Sequence, residues 1–124
     1  MKYSKYGRKP NLGRALLSLR AVSIAALNGP QSDLKMRQLA VWLALYLDPG
    51  PKTVRGLAAE LGVPKPAISR ALSRLQRLGV LERCRASEDR RDVILRKTAK
   101  GARLLRAFAH RIENAGARAP LRPG

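Results

Sequence analysis

The chain has 124 residues, 45% of them apolar and 4% aromatic, with 26 Lys and Arg against 8 Asp and Glu and a net charge of +18. That length suits one domain with a core of Leu, Ala, Val and Ile, and the charge points to a polyanionic partner. The single cysteine, Cys84, excludes an intrachain disulfide and a cysteine zinc cluster, and the longest uncharged apolar run, Leu39 to Leu47, is far below the roughly 20 residues of a membrane-spanning helix.

Residues 1–10 (MKYSKYGRKP) are polar and basic and are expected to form a flexible arm. The first thirty residues are basic, contain Ser and lack acid, as transit peptides do, but Arg14 and Arg20 interrupt any longer apolar stretch and the same residues make a good first helix. Asn11 can cap that helix, which runs to about Leu27 and stops at Asn28, Gly29 and Pro30. Leu12, Leu16, Leu17, Leu19, Val22, Ile24 and Leu27 leave it little polar surface, so it should be buried on more than one side, against a second subunit. Ser32 or Asp33 can cap the next helix, ending near Leu47 before Asp48-Pro49-Gly50-Pro51. Trp42 and Tyr46 fall on one face of it, as core packing or as the wall of a small-molecule pocket.

Thr53 caps a short helix with Leu57, Ala58 and Leu61 inward and Gly62 as its stop. Pro64, Lys65 and Pro66 open the next helix, where proline in the first turn removes no helical hydrogen bond, and Gly79 ends it after Leu78. Val80 to Arg85 and Asp92 to Lys97 read as two short strands around a polar tip, residues 86–91. Thr98 caps a last helix reaching about Asn114, with Gly101, Leu105, Phe108, Ile112 and Ala115 as its apolar seam. Residues 116–124 are expected to be a disordered tail. The fold class is mainly α with some β: residues 11–115 form a winged helix-turn-helix domain with a two-stranded wing, its DNA-binding core at 53–98.

The helix from Lys65 to Leu78 carries the functional signal. At 100° per residue Ile68, Leu72 and Leu75 fall within about 60° of one another, flanked by Ala71 and Leu78. Pro66, Arg70, Ser73 and Arg77 gather opposite, with Ser69 and Arg74 at the margins. No acidic residue lies between Lys65 and Leu81, whereas a solvated helix face ordinarily mixes both signs. Such a helix fits the major groove, where the planar fork of Arg70 can bond guanine O6 and N7 together. Lys65, Pro66, Ser69 and Ser73 are its groove neighbours, and Arg74 and Arg77 lie further along, toward phosphates. Lys52, Thr53 and Arg55, before and within the preceding helix, are candidates for backbone phosphate. At the hairpin tip, Arg90 and Arg91 are candidates for the minor groove, with Asp89 holding a neighbouring arginine in place.

These residues resemble the multiple-antibiotic-resistance regulator (MarR) family of bacterial transcription factors. The resemblance rests on Leu57-Ala58 with Gly62-Val63, Ser69-Arg70, Leu75 with Leu78-Gly79, Arg83, Asp89-Arg90-Arg91, and Thr98 with Gly101. It implies a homodimeric DNA-binding regulator, a repressor on a pseudo-palindromic operator, with N- and C-terminal helices as the dimer interface. Leu12, Leu16, Leu19, Leu105, Phe108 and Ile112 are the dimerisation candidates. The family's wing arginine corresponds to Arg91, joined by Arg90, and its recognition-helix contacts to Ser69, Arg70, Ser73 and Arg74. Many members sense small molecules, so an effector of unknown chemistry is a further expected partner.

An enzyme is not expected. His110 is the one histidine, there is no paired-carboxylate motif, and no glycine-rich phosphate loop is followed by Lys-Ser/Thr. No metal and no cofactor is expected, and the location expected is the cytoplasm, on the nucleoid. The competing reading is an architectural DNA-coating protein of little sequence preference, for which a charge of +18 on so small a chain speaks.

Overall fold

The computed structural model describes residues 11–50, 52–85 and 93–118. In chain order it contains α1 (Leu12–Ala26), a 3-10 turn (Pro30–Asp33), α2 (Met36–Leu47), β1 (Lys52–Thr53), α3 (Val54–Leu61), α4 (Lys65–Leu78), β2 (Leu81–Arg85), β3 (Val93–Lys97) and α5 (Ala99–Arg118). The chain divides into two compact units: Asp33–Ala107, and a second unit that contains α1 and the part of α5 from Phe108 onward.

The Asp33–Ala107 unit is a winged helix-turn-helix built around one apolar core. Val41, Trp42 and Leu45 of α2, Leu57 of α3, and Ile68, Leu72 and Leu75 of α4 are buried together with Val80, Leu81 and Leu95. Trp42 meets Tyr46 edge-on, with ring centroids 6.4 Å apart and planes at 81°, a favoured aromatic geometry that fills the centre of a core poor in aromatics. The pair is core packing: Trp42 is wholly buried in the core and Tyr46 lies partly buried against it.

Local chemistry sets the helix ends. Thr53 Oγ1 accepts from the Gly56 amide at 3.0 Å, and Thr98 Oγ1 accepts from the Gly101 amide at 2.9 Å, so both expected caps form. Gly62 and Gly79 end α3 and α4 in the left-handed region, at φ 65° and 85°, where a side chain would clash with its own backbone. The Pro64 carbonyl receives the amides of Ala67 and Ile68 at 3.0 and 3.1 Å, so α4 starts without a side-chain cap.

Three features differ from expectation. Ser32 and Asp33 do not cap α2; they lie in the 3-10 turn, closed by the Ser32 amide on the Gly29 carbonyl at 3.1 Å. The helix begins three residues later, where the Gln38 side chain accepts from the Lys35 amide at 2.9 Å. The two-stranded wing forms, and the sheet gains a third strand, in the order β1-β3-β2, because Lys52 and Thr53 pair with Leu95 and Ile94 on the far edge of β3. The wing hairpin itself is antiparallel, from Leu81 opposite Lys97 to Arg85 opposite Val93. Finally, α5 continues to Arg118, so residues 116–118 are helical and not part of a disordered tail.

In the second unit Asn11 caps α1, its side chain accepting from the Arg14 amide at 3.0 Å. Ala21 and Ala25 of α1 and Phe108 and Ala115 of α5 are buried. Arg111 donates to the Ala25 carbonyl at 3.4 Å and its guanidinium lies 5.6 Å from the Phe108 ring centroid. The apolar residues Leu12, Leu16 and Leu19 are nonetheless exposed, at 75%, 66% and 48%.

Candidate nucleic-acid interface

The two faces of α4 separate as its sequence requires. Ala67, Ile68, Ala71, Leu72 and Leu75 are buried, while Lys65, Pro66, Arg70, Ser73 and Arg77 are exposed and Ser69 and Arg74 lie half-buried at the boundary. The exposed face therefore carries cations and hydroxyls and no carboxylate. A polyanion offsets the mutual repulsion of such a face, and the buried leucines fix which side chains it meets.

Two grooves border this helix. One, of about 480 Å³, runs between the start of α2 and α4, with Lys35, Arg37 and Gln38 on one side and Arg70 on the other. The second, of about 400 Å³, is lined by Ser73, Gln76, Arg77 and Arg83. Lys35 and Arg37 lie outside the sequence candidates, because Ser32 and Asp33 suggest a helix start two or three residues ahead of the true one at Met36. Arg83 entered only as a family-type residue. Strand alternation could have given it a direction: it stands two residues after buried Leu81, on the same face of β2.

Arg83 reaches across to α4. Its Nη2 donates to the Ser69 carbonyl at 2.8 Å and to Ser73 Oγ at 3.0 Å, and the Ser73 hydroxyl itself donates to the Ser69 carbonyl at 3.0 Å. The Ser73 proton is thus used within the protein, and toward a ligand this hydroxyl can only accept.

The residues before α3 behave differently from one another. Arg55 is exposed, whereas the Lys52 side chain is only 13% exposed and its Nζ sits 3.2 Å from Glu60 and 3.4 Å from Asp48. Partial burial works against the Lys52 ammonium, but the hydrogen bond and charge of Glu60, joined by Asp48, outweigh it and hold its pKa above the ordinary 10.5. The Lys52 charge is therefore already paired with two carboxylates. Thr53 Oγ1 accepts from the Gly56 amide in the α3 cap, which leaves the role of its O–H as donor unchanged. Arg90, Arg91 and Asp89 lie outside the described residues.

The dimerisation candidates also divide. Leu12, Leu16 and Leu19 present an apolar strip to solvent, and Leu105 and Ile112 are half-buried, but Phe108 is 1% exposed and already enclosed by its own chain. Among the described residues, no group of three or more His, Cys, Asp or Glu could hold a metal, and no helix is long and apolar enough to cross a membrane.

Residues 32–92, which include the whole helix-turn-helix and the first wing strand β2, match the model of the MarR family. The chain belongs to the MarR family. The match extends well beyond that segment in three dimensions. A crystal structure of MarR, 28% identical, superposes with a TM-score of 0.64 over 86% of this chain and 78% of that one. Streptococcus pneumoniae FabT, solved in complex with DNA and 25% identical, gives 0.63 over 86% of this chain and 72% of its own. The transcriptional regulator Tm0710 from Thermotoga maritima, at 23% identity, shares the fold with a TM-score of 0.69 over 86% and 72%. No curated protein matches the chain by sequence. As a MarR-family member the chain is a DNA-binding transcription regulator and not an enzyme.

Proposed function

We propose that this MarR-family protein is a homodimeric, sequence-specific repressor of transcription that binds a pseudo-palindromic operator in the cytoplasm, on the nucleoid. The observation that carries the reading is the exposed face of α4, where Arg70, Ser73 and Arg77 stand beside Lys65 and Pro66 without a carboxylate. Arg70 reads a base edge from the major groove; Ser69 and Arg74, at the helix margins, meet sugar and phosphate. Arg55, with Lys35 and Arg37 across the groove from Arg70, binds backbone phosphate. Arg91, with Arg90 beside it and Asp89 as its support, reaches the minor groove from the wing tip.

Dimerisation is supported by the exposed leucines of α1, an apolar strip that a monomer would leave in water. Two copies would set two recognition helices on half-sites about one helical turn apart. FabT, solved in complex with DNA, supports DNA as the ligand of this fold.

Selection of bound sites from a random DNA pool tests the proposal, with a two-fold symmetric consensus as the expected result. Arg70→Ala should relax preference at one position of each half-site by about 1–3 kcal/mol. Arg55→Ala should instead weaken every duplex alike and lower the salt slope by about 0.9 per lost phosphate contact. A protein that binds the selected site less than about tenfold better than bulk duplex is the architectural DNA-coating protein that its charge of +18 also favours.

A further inference from the structure

Arg83 stands on β2, the first strand of the wing, yet its Nη2 donates its hydrogen bonds to α4. A single nitrogen, Nη2, serves two acceptors: the main-chain oxygen of Ser69 and the hydroxyl of Ser73. The Ser73 hydroxyl turns its own proton to the same Ser69 carbonyl, which closes a three-membered ring of donors and acceptors over one turn of helix. The ring lies on the exposed side of α4, next to Arg70 and Arg77 and not in the core.

We propose that Arg83 is a positioning residue for DNA recognition: it fixes the wing to the middle of the recognition helix through Ser69 and Ser73, and so sets base readout by Arg70. The inference rests on the reading of α4 as the groove-reading helix. Its physical basis is a difference in tolerance. Phosphate contacts are long-armed and survive small shifts of the helix, whereas bidentate bonds to a base edge require placement within about 0.5 Å. A link between wing and helix therefore matters little for holding DNA and much for distinguishing one sequence from another. The geometry also removes Ser73 from the phosphate ligands, because its proton is committed and DNA phosphates only accept.

The test compares two duplexes of equal length, one selected from a random pool by the wild-type protein and one with that sequence scrambled. Arg83→Lys retains the charge and replaces the planar pair of N–H groups by a mobile ammonium. It should lower the ratio of selected-site to scrambled-site affinity about tenfold, a change of ~1.4 kcal/mol. Ser73→Ala should lower the same ratio, and the double variant should be no worse than the poorer single one, since both remove the same link.

Arg83→Met, which deletes the charge, should leave the salt slope on the selected site at its wild-type value. A slope smaller by about 0.9, with both duplexes weakened together, would make Arg83 a phosphate ligand and overturn the proposal. Additive losses in the Arg83→Lys, Ser73→Ala pair would overturn it as well, by making Ser73 an independent contact. Wild-type protein that does not prefer the selected duplex removes the recognition reading itself, whatever the variants do, and the positioning role falls with it.

Discussion

Helices α4 and α1 both carry leucines along one side, and they differ in what covers them. In α4, Ile68, Leu72 and Leu75 are wholly buried by α2, α3 and the sheet of the same chain. In α1, Leu12 and Leu16 remain 75% and 66% exposed although Ala21 and Ala25 of the same helix are buried. The core of the winged unit is thus complete within one chain, while α1 has an apolar strip that the described residues leave exposed. What remains outward on α4 is charge, and what remains outward on α1 is hydrocarbon. The first surface suits a polyanion and the second a like surface on another copy.

The largest effects should come from opposing these two helices directly. Leu72→Ala removes a side chain that has no exposure and should destabilise the protein by about 2–5 kcal/mol, read as a fall in the urea midpoint that does not depend on protein concentration. Leu16→Ser changes a side chain 66% exposed, and in an isolated chain should shift stability by no more than about 0.5 kcal/mol. In a dimer its effect should grow with concentration, because association adds stability by mass action. Melting curves at micromolar and nanomolar protein check the contrast; identical curves for wild type and Leu16→Ser at every concentration would mean that the strip on α1 covers nothing.

The completeness of the winged unit can be tested at its tightest point, where α5 begins against Tyr46. The Tyr46 hydroxyl accepts from the Thr98 amide at 3.0 Å and donates to the Val80 carbonyl at 2.6 Å. A methyl group on Gly101 would collide with that hydroxyl and lie 2.7 Å from the Val80 carbonyl. Gly101→Ala would otherwise favour the helix by roughly 1 kcal/mol, so a loss of about 1–3 kcal/mol would show overpacking winning over propensity. Adding Tyr46→Phe should recover part of that loss, because the hydroxyl is the closest obstacle.

Much of this contrast was legible in the sequence, and the failures have a common cause. The phase of α4 was clear because Ile68, Ala71, Leu72 and Leu75 repeat at helical spacing, and even the marginal places of Ser69 and Arg74 followed. The caps at Thr53, Gly62, Gly79 and Thr98 were legible because each depends on chemistry within three or four residues. By contrast β1 is two residues long, too short to show alternation, and exists through pairing with β3 more than forty residues away. Ser32 and Asp33 are better capping residues than Lys35, but the turn after Gly29 takes them first. Gly116 suggested a stop for α5, yet one glycine costs a helix only about 1 kcal/mol. The partners of Arg83 stand 10 and 14 residues before it, a tertiary fact that no local pattern contains.

Lys52 belongs with these tertiary surprises and provides the smallest test. As a lysine beside a basic helix it resembled a phosphate ligand, but Glu60, eight residues onward, and Asp48 in the preceding turn already neutralise it. A phosphate would have to displace two carboxylates to reach it, so Lys52→Met should change DNA affinity less than Arg55→Ala does. Its contribution is to folding instead, and the sign follows from the raised pKa. A lysine that holds its proton more tightly when folded contributes fully below its ordinary value of 10.5, and loses that contribution as pH rises through the higher folded value. Wild-type stability should therefore decline more steeply above pH 10.5 than that of Lys52→Met, with the difference between them constant at neutral pH. Parallel urea titrations across that range measure it. Equal slopes for the two proteins would show that the ion pairs do not hold the proton, and would return Lys52 to the cationic surface that faces DNA.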